Sequence, residues 1–201
     1  MSKKQPAAVS QVSSAETAIL ISLLQQVLAK NIAGDVVELG CYKGDTSILF
    51  QRELQKTDKT LWLYDSFAGL PEKTREDSSA AGDQFKSGEL FVTKREVIEK
   101  FKRYNLPLPK IKKAFFEDLD PTKDLPEKIC FAFLDGDLYT SIKTSLTLVQ
   151  DKMQSGSIVI IHDYNNPELP GSARAVDEWL KNHRYQIKQF KTQETLAIIY
   201  L

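Results

Sequence analysis

Residues 36–45 read Val36-Val37-Glu38-Leu39-Gly40-Cys41-Tyr42-Lys43-Gly44-Asp45: a β-branched apolar run, a turn bounded by glycines, and an acid placed to open a helix. The turn is not the G-x-G-x-x-G of dinucleotide-binding chains, because Tyr42 stands where the second glycine belongs. It is not a P-loop either, since Lys43 precedes Gly44 instead of following it. Outward from this stretch the same alternation repeats. Apolar runs at 35–39, 60–65, 111–116, 128–135 and 157–162 alternate with helical spacing at 45–56, 93–105, 140–153 and 172–183. Such alternation predicts βαβ units and a doubly wound, mostly parallel α/β sheet. The tail differs. Runs at 185–190 and 195–200 are joined by only four residues, too few for a crossover helix, so these two strands are expected to pair antiparallel and complete a seven-stranded sheet.

Composition narrows the function classes. The chain has 201 residues, 42% of them hydrophobic, and its 27 Lys+Arg balance its 27 Asp+Glu. The apolar fraction excludes a disordered chain, and zero net charge argues against a nucleic-acid partner. No apolar run is long enough for a membrane span, and the basic N-terminus lacks a following apolar region, so a soluble, cytoplasmic protein without a membrane partner is expected. Residues 1–12 read as a flexible leader and 13–201 as one domain. Ser13-x-x-Glu16 forms a capping box ahead of the stripe Leu20, Leu23, Leu24, Val27 and Leu28, a helix whose wide apolar face could also serve a homodimer. Residues 71–92 carry acids, glycines and serines without a period; a loop this long suggests a mobile lid.

In an open α/β sheet, ligands collect beyond the carboxyl ends of the strands. Here every strand of the parallel set ends in acid: Glu38, Asp65, Glu117-Asp118, Asp135-Gly136-Asp137 and His162-Asp163. Helix capping accounts for two or three of these, and Asp137 and Tyr139 could equally cap and pack at the next helix, but a full set points to a functional cluster. Asp65 stands where an acid accepts hydrogen bonds from ribose hydroxyls. Together with Glu38 it disfavours a pyrophosphate and favours a ligand carrying positive charge, a sulfonium or an ammonium. Cys41 reads as a small loop residue, Trp179 as core, and Arg174 as a weak substrate or anion contact.

The segments VVELGCYKGDTS, LYDSFAGLP, AFFEDLDP, AFLDGDLYTS and SGSIVIIHDYNNPELPG, in this order, resemble the TylF-type macrocin O-methyltransferases over roughly residues 34–183. The resemblance implies a class I, Rossmann-like methyltransferase sheet with an antiparallel last strand, and S-adenosylmethionine as cofactor. It implies that the turn Glu38–Gly44, with Gly40 and Tyr42, holds the methionine part of the cofactor. Asp65 would hold the ribose, with Ser66 and Phe67 beside it, and Phe116, Glu117 and Asp118 would flank the adenine, with Asp135 at the reacting end. It further implies a divalent metal, magnesium (Mg), held by Asp135 and an acid pair after the fifth strand, with Mn the alternative that this chain's departure from the pair raises. In this chain that pair reads His162-Asp163, and an imidazole suits manganese, iron or zinc better than magnesium. The catalytic candidates are Asp135, Asp137 and His162, the last two as the base. The function implied is transfer of a methyl group to a hydroxyl of a small-molecule acceptor, such as a sugar on a natural product; the alternative is a catalytically silent S-adenosylmethionine-binding sensor or assembly partner. A nicotinamide oxidoreductase is disfavoured by the missing glycine fingerprint.

Overall fold

The computed structural model describes residues 11–81, 84–184 and 187–201, so most of the expected leader, Asp83 in the expected lid and the start of the strand placed at 185 lie outside the described residues. Seven strands form one sheet in the order β3-β2-β1-β4-β5-β7-β6. They are β1 (Asp35–Leu39), β2 (Leu61–Asp65), β3 (Lys110–Lys113), β4 (Ile129–Leu134), β5 (Met153–Ile161), β6 (Gln189–Gln193) and β7 (Leu196–Tyr200). The first five run parallel, whereas β7 enters antiparallel to both β5 and β6. The strand order reverses between β1 and β4, which places the ligand crevice at their carboxyl ends.

Helices α1 (Ser14–Ala29), α2 (Asp45–Leu54) and α3 (Lys94–Arg103) pack on one face, and α4 (Tyr139–Gln150) and α5 (Pro170–His183) on the other. The uninterrupted apolar runs of the central strands feed both layers. Phe131, Phe133, Ile158 and Ile160 join the core under α1–α3, while Ala132, Leu134, Val159 and Ile161 join the core under α4 and α5. A strand covered on both faces needs no polar alternation, because each successive side chain finds apolar partners. Helix starts follow local chemistry. Ser13 and Glu16 make a reciprocal capping box at α1, as Thr93 and Glu96 do at α3, and Pro170 occupies the first turn of α5.

Three boundaries differ from the sequence expectation. The third strand ends at Lys113, and Phe116–Asp118 form a 3-10 turn. The fifth begins at Met153, earlier than its apolar run. The last hairpin is shifted: β6 starts at Gln189, and a two-residue turn, Glu194-Thr195, connects it to β7. Glu194 takes the left-handed conformation (φ 54°) that such a turn requires. As a sheet-edge strand, β6 is largely exposed and polar, so its sequence carries no apolar signal.

Candidate active site

At the carboxyl ends of β1, β2 and β4 lies a cavity of roughly 660 Å³, open mouth included. Gly40, Tyr42, Asp65, Ser66, Phe116, Glu117, Asp135 and Asp137 line it. Gly40 makes the strand-end approach possible. Its φ is +92°, and a Cβ there would sit 1.9 Å from the Asp135 carbonyl oxygen, so no side chain fits. Asp65 organises the floor: its Oδ2 accepts from the backbone N–H groups of Tyr42 (2.9 Å) and Cys41 (3.1 Å), and its Oδ1 from that of Phe67 (2.8 Å). Burial pushes the Asp65 carboxyl up, and these three amides oppose the shift. One acid thereby ties the β1–α2 turn to the β2 end, with oxygen lone pairs remaining toward the cavity.

Other sequence candidates sit outside the cavity wall. Glu38 is fully buried beneath the turn, where the hydroxyls of Thr46 and Ser47 donate to its carboxyl, and burial pushes it up to about 8. Gly44 serves as the left-handed N-cap of α2, and Phe67 packs into the core under α1–α3. Asp118 is exposed on its 3-10 turn. Cys41 is buried and its thiol is pushed up by burial, the profile of an inert thiol. Arg174 donates to the backbone carbonyl of Glu76 on the surface.

Behind the cavity is a buried charged cluster. His162 Nδ1 lies 3.0 Å from Asp135 Oδ1 and 3.0 Å from Asp163 Oδ2, and its Nε2 lies 3.6 Å from Glu16 Oε1. Burial disfavours the charged ring, but Asp135, Asp163 and Glu16 outweigh it and hold the imidazole well above its ordinary range. Neither His162 nor Asp163 lines the cavity; Asp135 bridges the two regions. One donor atom from each of Asp135, His162 and Asp163 lies within 4.8 Å of the others, so the donor set converges enough to hold a divalent cation.

Asp137, two positions beyond Asp135, lines the cavity and is half-buried. It adopts a left-handed φ of 60° and makes no hydrogen bond among the described residues. Burial, then the charges of Asp135 and Asp163, push its carboxyl well above the usual range. It does not cap α4. That helix has no side-chain cap of its own, and the Tyr139 N–H instead donates to Asp77 Oδ1 at 2.7 Å. Asp77 belongs to the long 71–92 loop, in a 3-10 turn (Arg75–Asp77) over the α4 and α5 N-termini.

Gln11 and Leu90 line the cavity without a sequence signal of their own, whereas Leu70, Pro71, Phe115 and Ser141 fall inside the segments that carry the family resemblance. Asp77 had one, since Thr74-x-x-Asp77 forms a capping box inside the aperiodic loop. Glu16 was visible only as a capping residue, because nothing in its local sequence marks a contact 146 positions away.

The sequence and the fold are similar to those of known proteins. The family model for macrocin-O-methyltransferase (TylF) matches residues 3–196. The demethyldecarbamoylnovobiocin O-methyltransferase of Streptomyces niveus is 32% identical over 165 residues, 78% of this chain and 62% of that protein. The mycinamicin III 3''-O-methyltransferase of Micromonospora griseorubida is 28% identical over 171 residues, 80% of this chain and 65% of that one. The chain thus spans less than two thirds of the length of these curated relatives. Among solved structures, the O-methyltransferase NovP superposes with a TM-score of 0.82 at 26% identity, covering 96% of this chain and 82% of that one. The fold is that of the class I methyltransferases, and the chain belongs to the macrocin-O-methyltransferase (TylF) family.

Proposed function

We propose that the protein transfers the methyl group of S-adenosylmethionine to a hydroxyl of a small-molecule acceptor, a sugar on a glycosylated natural product. The observation that carries this reading is a single cavity with Asp65 at one end and the Asp135–Asp137 pair at the other. Its relatives are named for O-methylation of natural products, which supports the acceptor class.

The cofactor supplies an electrophilic methyl group on a sulfonium. The chain's task is to hold an acceptor oxygen about 3 Å from that carbon and in line with the bond that breaks. Asp65 accepts hydrogen bonds from the ribose hydroxyls with the lone pairs its amides leave free. The Gly40–Gly44 turn brings backbone close to the methionine part, and Phe116 and Glu117 flank the base. Asp137 takes the acceptor's proton. It lines the cavity, makes no hydrogen bond among the described residues, and lies in a site that favours its neutral, protonated product form. His162 is less suited, because both ring nitrogens already face carboxylates. A divalent cation held by Asp135, His162 and Asp163 would lower the pKa of the acceptor hydroxyl. Residues 71–92, pinned through Asp77, act as the lid.

Radiolabelled methyl transfer to a panel of glycosides tests this. The expected result is incorporation into hydroxyl-bearing sugars, reduced about 10²- to 10⁴-fold in Asp137→Asn while S-adenosylhomocysteine still binds. Incorporation into nitrogen or carbon acceptors alone contradicts it.

A further inference from the structure

Glu16 does more than cap α1. Its two carboxylate oxygens divide the work. Oε2 accepts from the Ser13 N–H (2.9 Å), closing the capping box, while Oε1 accepts from the backbone N–H (3.2 Å) and hydroxyl of Thr195 and faces His162 Nε2 at 3.6 Å. A cap needs only the helix end, which normally stays in water, yet this side chain is 4% exposed. A buried carboxylate is costly without partners. Here the partners come from three separate elements: the α1 N-terminus, the β6–β7 turn and the end of β5. They fix the carboxylate in place, with Oε1 turned toward the His162 ring.

The opposite side of the same ring points at the two acids of the cluster. Nδ1 is equidistant, at 3.0 Å, from Asp135 and Asp163. A carboxylate on one ring nitrogen and convergent donors around the other is the arrangement by which proteins orient a metal-ligating imidazole: the outer partner fixes the tautomer and raises the basicity of the ligating nitrogen. Phe133 adds an edge-on contact to the ring, 6.2 Å between centroids, which restricts its rotation further.

We propose that Glu16 is a positioning residue for the Asp135–His162–Asp163 site, holding the imidazole so that Nδ1 and two carboxylates form a mixed nitrogen–oxygen set that takes manganese(II) in preference to magnesium. The inference rests on reading that triad as a cation site. Magnesium demands oxygen ligands and retains its waters, whereas an imidazole donor favours first-row transition ions. Glu16 also makes the site depend on α1 and on the β6–β7 turn, neither of which contributes a donor atom.

The test is manganese(II) and magnesium titration of the full chain by calorimetry, with the electron paramagnetic resonance signal of manganese(II) as a second readout, neither requiring turnover. The wild type is expected to bind manganese(II) more tightly than magnesium. Glu16→Gln, which keeps size and hydrogen-bonding capacity but loses the charge, and Glu16→Ala are expected to weaken manganese(II) about 10- to 100-fold. Ser13→Ala loses the hydroxyl that accepts from the Glu16 N–H but keeps the Ser13 N–H bond to the Glu16 carboxylate and does not touch His162, so it should lower stability and leave manganese(II) affinity at the wild-type value. If both Glu16 variants bind manganese(II) like the wild type, or Ser13→Ala weakens it as much as they do, the positioning role is overturned while the cation site stands. Equal or tighter binding of magnesium by the wild type overturns the selectivity. Absence of manganese(II) binding in the wild type overturns the cation reading itself.

Discussion

The imidazole Nδ1 of His162, at the end of β5, lies 3.0 Å from Oδ1 of Asp135, at the end of β4, and joins the two strand ends on which the site depends. The ring is a buried partner to three carboxylates, so removing it leaves their charges uncompensated. His162→Ala should therefore cost about 3–5 kcal/mol of stability in urea unfolding. A loss below about 1 kcal/mol would mean the cluster is far better solvated than its burial indicates.

Asp77 lies 62 positions before the helix end it satisfies, and its carboxylate bonds both the Tyr139 N–H and its own turn at Thr74. It should behave as an N-cap supplied from a loop. Asp77→Ala is expected to lose about 1–2 kcal/mol and to make 71–92 the first site of limited proteolysis. Unchanged cleavage kinetics would show that other contacts hold the loop.

Glu38 makes stability depend on pH. Burial raises its carboxyl from the ordinary 4.5 to about 8. Between these values the native state keeps a proton that the unfolded chain has lost, so this contribution is fully present below about pH 4.5 and disappears as pH rises through about 8. The difference between the wild type and Glu38→Gln should then fall by up to about 1.4 kcal/mol per pH unit across that window, seen in denaturant unfolding at several pH values. Parallel stability curves for the two proteins would place the titration elsewhere.

Sequence reading recovered the elements whose signal is local. Runs such as Ile158–Ile161 read as covered strands, and Ser13-x-x-Glu16 as a helix start, and both are found. It also identified the acids at strand ends, because topology places every parallel strand's carboxyl end on one edge. It could not tell which of those acids open into the cavity. Glu38 and Asp65 look alike in sequence and point to the same face of the sheet, yet Glu38 lies one residue inside β1, beneath Thr46 and Ser47 of α2, whereas Asp65 is the last residue of β2 and opens into the crevice. Contacts across the chain, Glu16 with His162 and Asp77 with Tyr139, leave no local periodicity at all. The edge strand β6 was misplaced for a related reason: at the rim of the sheet, pairing is carried by backbone groups, and the side chains stay polar.

The central claim is that the crevice at the β1–β4 switch point binds S-adenosylmethionine through Asp65. Calorimetry with S-adenosylhomocysteine on the wild type and Asp65→Ala tests it most directly. The expected result is saturable one-to-one binding, weakened about 10- to 100-fold in the variant by loss of charge-assisted hydrogen bonds. No binding heat for either S-adenosylhomocysteine or S-adenosylmethionine at millimolar concentration, or equal affinity in the two proteins, would contradict it.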